Sequence, residues 1–264
     1  MKSALLLPLL LLAGISQAQI EMGMHYFVSA PLGAMGQNIQ PVHNFGMTGY
    51  YRLKAADRRV YAGADISFGQ YAYVSQDATF ISENGSATTT TVDFSSNVRN
   101  YHAVAGYDFA KNTAIVPYIT VKAGVSNFST NIVIEDPDDH HSCHPLDERN
   151  VFCDATFSGG AGAGVKIDAS SFFKNWDKGS WWFDFSANYL SGGSIDYVNV
   201  KHLSPEKKSP TRNTKDVYVE FVDITTEEIH EHPVAPVYSS TLKFLDFKVG
   251  MVKTFGRCGY KTQF

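Results

Sequence analysis

Between Ser240 and Phe255 the side chains alternate with period two: Leu245, Phe247, Val249 and Met251 fall on one face, Asp246, Lys248, Gly250 and Thr254 on the other. Lys243 and Lys253 share the apolar face but sit at its ends, where a long stem lies along hydrocarbon and releases its ammonium into a polar boundary. An apolar outside, a polar inside and cations at the rims describe a strand that crosses a bilayer.

Seven earlier segments repeat the pattern, at 20–29, 44–53, 60–70, 98–109, 115–128, 155–168 and 180–191. Each is long enough to cross as a tilted strand of about ten residues. In the fourth, Tyr101, Ala103, Ala105 and Tyr107 oppose Asn100, His102, Gly106 and Asp108; in the seventh, Trp181, Phe183, Phe185 and Ala187 oppose Trp182, Asp184, Ser186 and Asn188. The apolar sets contain no Asp, Glu or His. Aromatics such as Tyr101, Tyr107, Trp181 and Tyr189 fall near the ends of their faces, where an interfacial girdle needs them.

The connections alternate in length. Long ones run over about 30–43, 71–97, 129–153 and 192–239, and short ones over 54–59, 110–114 and 169–179. Short periplasmic turns with long extracellular loops put both termini in the periplasm. An even number of strands closes the sheet and leaves no backbone group unpaired in lipid. The expected fold class is therefore all-β, an eight-stranded antiparallel up-and-down transmembrane β-barrel. Residues 71–82 and 87–94 around Glu83-Asn84-Gly85-Ser86 read as arms of a hairpin that continues the wall. Residues 195–203 and 216–224 read as the arms of a second.

Residues 1–18 have Lys2, a short leucine-rich run and Ser16-Gln17-Ala18, the layout of a secretory signal peptide. Residues 19–264 are then one outer-membrane barrel domain. The chain so organised resembles the small eight-stranded OmpA/OmpX-like outer-membrane barrels of Gram-negative bacteria. The assembly signal of that family is matched in part by Lys248, Gly250 and Phe255, and in part by Arg257, Gly259 and Phe264. The resemblance implies the fold and a bacterial outer-membrane location, with outer-membrane lipid as the surrounding partner.

The inward sets contain Glu21, His25, Arg52, Asp65, His102, Asp108, Lys122, Lys166, Asp184, Asp246 and Lys248. Both signs are present, which suits a network of buried ion pairs better than a one-sign filter. Eight strands leave a bore only wide enough for side chains to fill, so a plugged barrel is expected. The run Ser158-Gly-Gly-Ala-Gly-Ala-Gly164 lacks the Lys-Ser/Thr ending of a phosphate loop. Its inward glycines make room for large neighbours such as Tyr118 and Trp182.

Cys143 and Cys153 share one extracellular loop and are expected to close a disulfide; Cys258 falls beyond the last strand, across the hydrocarbon. The same loop contains Asp139, His140, His141 and His144, donors of the type that ligate zinc or copper, and His230 and His232 offer nitrogens to a metal or haem. Their spacing matches no finger-type site and a paired Cys143 offers no thiolate. A polar, disulfide-tied loop without cofactor is the preferred reading, with those four residues as the candidate metal ligands.

A lipid-modifying enzyme needs Ser, His and a carboxylate where an acyl chain reaches them, and the outward sets supply neither His nor acid. The expectation is a non-enzymatic barrel acting through its loops in envelope structure, surface interaction or as an accessory subunit, with exposed hairpin edges open to a protein partner. A small-solute, metal or haem receptor is the alternative, and a lipid-modifying enzyme the second. With a formal net charge of −4 and no basic patch, nucleic acid is excluded as a partner.

Overall fold

The computed structural model describes residues 19–81, 87–136, 147–202, 216–222 and 229–256. Eight strands make the wall: β1 (Gln19–Pro31), β2 (Val42–Arg52), β3 (Val60–Ile81), β4 (Ala87–Asp108), β5 (Ile115–Ile134), β6 (Asp147–Asp168), β7 (Trp181–Val198) and, after the shorter β8 (Asp216–Val222), β9 (Ile229–Phe255). Each of β1 to β6 pairs antiparallel with the next, β7 pairs with β9, and β9 pairs with β1 from Ile20↔Phe255 to Pro31↔Phe244. The sheet is a closed eight-stranded barrel.

Outward side chains of the short-turn half are apolar and bare: Met24 is 70% exposed, Phe45 70% and Phe157 69%. Their inward neighbours Glu21, His25, Asp184 and Lys166 are buried. This half is a hydrocarbon-facing band around a polar interior.

The strands run further than a ten-residue crossing. β3, β4 and β6 each have 22 residues, about 70 Å at the usual rise. Past the band the alternation keeps its period but changes sign. On β4 the outward residues become Arg99, Asn97, Ser95 and Asp93 while the inward ones become Val98, Phe94 and Val92, all three buried. The same inversion occurs at Asn127/Phe128 on β5 and at Lys243/Phe244 on β9, and register aligns them: Val98 opposes Phe128. The extension is a water-facing barrel with an apolar lumen.

That lumen is a core. Phe128, Tyr197, Leu190, Leu242 and Phe244 fill it, and the single helical turn α1 (Met35–Asn38) and the 3-10 turn Val200–His202 lay Met35 and Val200 into its mouth. Tyr71 Oη and Ser96 Oγ both donate to the carbonyl of Val198 at 2.8 Å, and Asn38 Nδ2 donates to Tyr197 Oη at 3.2 Å.

Two sequence expectations are corrected here. The third long connection, 129–153, is wall over 129–134 and 147–153, because β5 reaches Ile134 and β6 begins at Asp147. In the fourth, residues 195–198 pair with β9 (Val198↔Val237), and the arm at 216–222 pairs with residues 229–236 of β9 instead of with 195–203. The nearer partner along the chain closes the smaller loop. The hairpin around residues 82–86 is paired up to Ile81↔Ala87.

Candidate functional site in the barrel interior

Inward positions from all eight wall strands build three stacked layers. At the short-turn end Arg52 of β2 lies between two carboxylates. Its Nε is 2.8 Å from Glu21 Oε1 on β1, and its Nη2 is 2.6 Å from Asp108 Oδ2 on β4. Nη1 donates to the carbonyl of Arg58 at 2.7 Å. Lys166 of β6 reaches Asp108 at 2.9 Å and Glu21 at 3.6 Å. Two cations and two anions thus neutralise one another away from water, the arrangement that buried charge requires.

The aromatic rings of Tyr61 and Tyr118 sit over the ammonium of Lys166, at 5.3 and 5.4 Å to their centroids. Glycines admit them. A Cβ on Gly164 would lie 2.5 Å from Tyr118 Cζ, and one on Gly106 would collide with the Tyr61 ring. The expectation for Tyr118 holds, whereas Trp182 turns toward the end of the barrel and donates its Nε1 to Gly179 O and Thr254 Oγ1, both at 3.2 Å.

In the middle layer Asp184 of β7 accepts from Tyr118 Oη at 2.6 Å and from His25 Nε2 at 3.0 Å, with Lys248 Nζ at 3.4 Å. Lys122 of β5 pairs across the bore with Asp246 of β9 at 3.1 Å. Asp65 stands opposite His102 in the β3–β4 register and lines a cavity of about 20 Å³ together with Tyr50, Lys122 and Asp184, room for about one water. A polar chain runs beside it. His102 Nε2 meets Ser158 Oγ at 2.8 Å, Ser158 meets Ser126 at 2.8 Å, and Ser126 donates to Asn100 Oδ1 at 2.6 Å. The third layer is the apolar core of the extension.

Closure, the bare apolar band and the charged interior occur together in one wall. The architecture is that of an outer-membrane-type β-barrel.

No family model and no curated protein matches the chain. Among solved structures it is similar to neisserial surface protein A (10% identity, 91% of this chain and 98% of that one, TM-score 0.40). It is also similar to Ail, the attachment invasion locus protein of Yersinia pestis, in complex with the heparin analogue sucrose octasulfate (11%, 90% and 97%, 0.36). A third is the outer-membrane protein AlkL in lipid bilayers (11%, 92% and 92%, 0.35). At these scores the likenesses add nothing to what the strand pairing states.

Of the loop candidates, Asp139, His140, His141, His144 and Cys143 lie outside the described residues. Cys153 is exposed on β6 and accepts from Asn127 Nδ2 at 3.2 Å. His230 and His232 are on β9 opposite Phe221 and Val219. Among the described residues no group of three metal-ligating side chains converges. Sequence reasoning missed the part played by Tyr61 and the Ser126–Ser158–His102 chain; the inward Gly106 beside Tyr61 in the β3–β4 register is the signal that points to the first.

Proposed function

We propose that this protein is a non-conducting, non-enzymatic outer-membrane barrel that presents its β extension as a docking surface for a protein partner, either at the cell surface or as an accessory subunit of a larger assembly. The short turns face the periplasm and the extension faces outward. One observation carries the reading: the bore is filled along its length, by ion pairs in the membrane band and by an apolar core above it. What remains to act is the outside of a wall packed on its core, together with the two-stranded β8–β9 ribbon that continues β9 past its last pair with β7. The His102–Ser158 pair, although of catalytic residue types, is buried at 4% and 0% exposure and faces the bore, away from acyl chains.

Two measurements test this. Reconstituted into a planar bilayer, the protein is expected to show no stepwise conductance; a steady open state rejects the filled bore. Crosslinking in intact outer membranes, beside a variant in which residues 203–234 are replaced by a short turn, is expected to capture a protein that the variant loses. Capture of the same protein by both forms rejects the ribbon as the interface.

A further inference from the structure

The short connections are unlike one another. Residues 53–59 contain no Phe or Trp and residues 109–114 contain Phe109 alone, whereas residues 169–180 read Ala-Ser-Ser-Phe-Phe-Lys-Asn-Trp-Asp-Lys-Gly-Ser. One buried carboxylate shapes this turn. Asp168 Oδ1 accepts from Ser170 N at 3.0 Å and Oδ2 from Gly179 N at 2.7 Å, so the same side chain ties the start of the turn to its end. Gly179 has φ +70°, a left-handed conformation that suits glycine.

So pinned, the turn folds back along the outside of the barrel. The ring of Phe172 meets that of Phe183 at 6.0 Å, Phe173 stacks on Trp176 at 4.9 Å, and Trp176 meets Trp181 at 5.5 Å. Trp181 and Phe183 are outward residues of β7, in phase with the bare Phe185. The aromatic group is therefore continuous with the hydrocarbon-facing band, yet Phe172 and Phe173 remain 65% and 47% exposed. Cations surround it: Lys174 and Lys178 in the turn, and Lys253 with its Nζ 4.6 Å from the Trp181 centroid, against Asp177, the exposed acid of the turn.

We propose that this turn is a membrane anchor for anionic phospholipid: Phe172, Phe173 and Trp176 enter the boundary between headgroups and acyl chains while Lys174, Lys178 and Lys253 meet lipid phosphates. Aromatic rings favour that depth, and ammonium groups next to it draw anionic headgroups. Continuity with the lipid-facing wall selects lipid over a protein as the occupant. The inference rests on the membrane immersion of the barrel but not on which end faces the periplasm.

The chain's three tryptophans are Trp176 in the turn and Trp181 and Trp182 at the start of β7, so intrinsic fluorescence reads this end of the barrel. The protein is reconstituted into equimolar phosphatidylcholine and phosphatidylglycerol vesicles in which one or the other lipid carries brominated chains. Stronger quenching by brominated phosphatidylglycerol is expected, reflecting local enrichment of roughly fivefold per surface lysine. That excess disappears in Lys174→Gln/Lys178→Gln/Lys253→Gln, and Phe172→Ser/Phe173→Ser lowers quenching by both lipids. Equal quenching of the natural protein by the two lipids overturns the anionic preference. Quenching unchanged by the Phe172→Ser/Phe173→Ser substitution overturns the entry of these rings into the membrane. A further variant with the three tryptophans changed to Phe and Phe247→Trp on the wall separates the two readings. Quenching there with failure at the turn leaves the barrel immersed and the anchor rejected; no quenching there rejects the immersion itself.

Discussion

Phe128 of β5 and Phe244 of β9 face each other across the lumen with near-parallel rings, 8° between planes and 6.4 Å between centroids. Tyr71 and Tyr197 pack on the same Phe128 ring at 5.7 and 6.1 Å. Phe128 is fully buried in a wall whose outside is polar at that level. Phe128→Ala is expected to destabilise the barrel by about 3–5 kcal/mol, read as a lower urea midpoint in detergent or lipid. Conductance stays absent, because the ion pairs below still fill the bore.

Arg52 holds Glu21 and Asp108 at once, so its loss leaves two buried carboxylates sharing Lys166 alone. Arg52→Met is expected to cost about 3–5 kcal/mol, most of it from uncompensated charge. Adding Glu21→Gln to that variant restores part of the loss, and the interaction energy of the double-mutant cycle measures the coupling. Additive losses would show that the pair is not coupled.

The band was legible in the sequence because lipid outside and charge inside give an alternation that no soluble sheet reproduces, and the inward placement of Glu21, Arg52, Asp184 and Lys248 followed from parity alone. The extension was less legible. At Arg99/Val98 and Asn127/Phe128 the period persists while its sign inverts, so a search for apolar outward faces stops at the membrane boundary and assigns wall to loop. Contacts within the bore depend on side-chain length and on shear between strands, neither of which parity contains. Pairing of Lys122 with Asp246, three strands around the wall, is of that kind.

Gly106 leaves space that the Tyr61 ring occupies, and that ring lies over both Lys166 and Arg52, at 5.3 and 5.5 Å. Gly106→Ala is expected to cost about 1–3 kcal/mol by overpacking. Gly106→Ala combined with Tyr61→Leu is expected to be less destabilising than the two separate losses summed, since the collision is gone. Equal or greater loss in the double variant would show that Tyr61 is not what the glycine accommodates.

In the exposed turn between β2 and β3, a hydrogen bond from Lys111 holds the Asp57 carboxyl below its usual value, with the charges of Lys111, Arg59 and Arg58 adding to it. A folded value below the unfolded one means that the pair's contribution is present above the unfolded-state pKa and is lost as pH falls through the folded one. Both groups face water, so the effect on stability is small. It is read instead as a depressed Asp57 titration by NMR, which Lys111→Met returns toward the usual carboxylate range. An unchanged titration in that variant removes Lys111 as the cause.

Cys153 is exposed on β6 in the extension, four positions beyond Phe157 of the hydrocarbon-facing band. We propose that it pairs with Cys143, closing a short ring worth about 3 kcal/mol in the chain-entropy model. On a Cys258→Ser background, a membrane-impermeant maleimide applied to intact cells is then expected to label nothing until reductant is added. With Cys143→Ser added, Cys153 is labelled without reductant. Labelling of the first variant in the absence of reductant shows the thiols to be unpaired, and a second variant that stays unlabelled in intact cells but labels after lysis places the extension on the periplasmic side and reverses the proposed orientation.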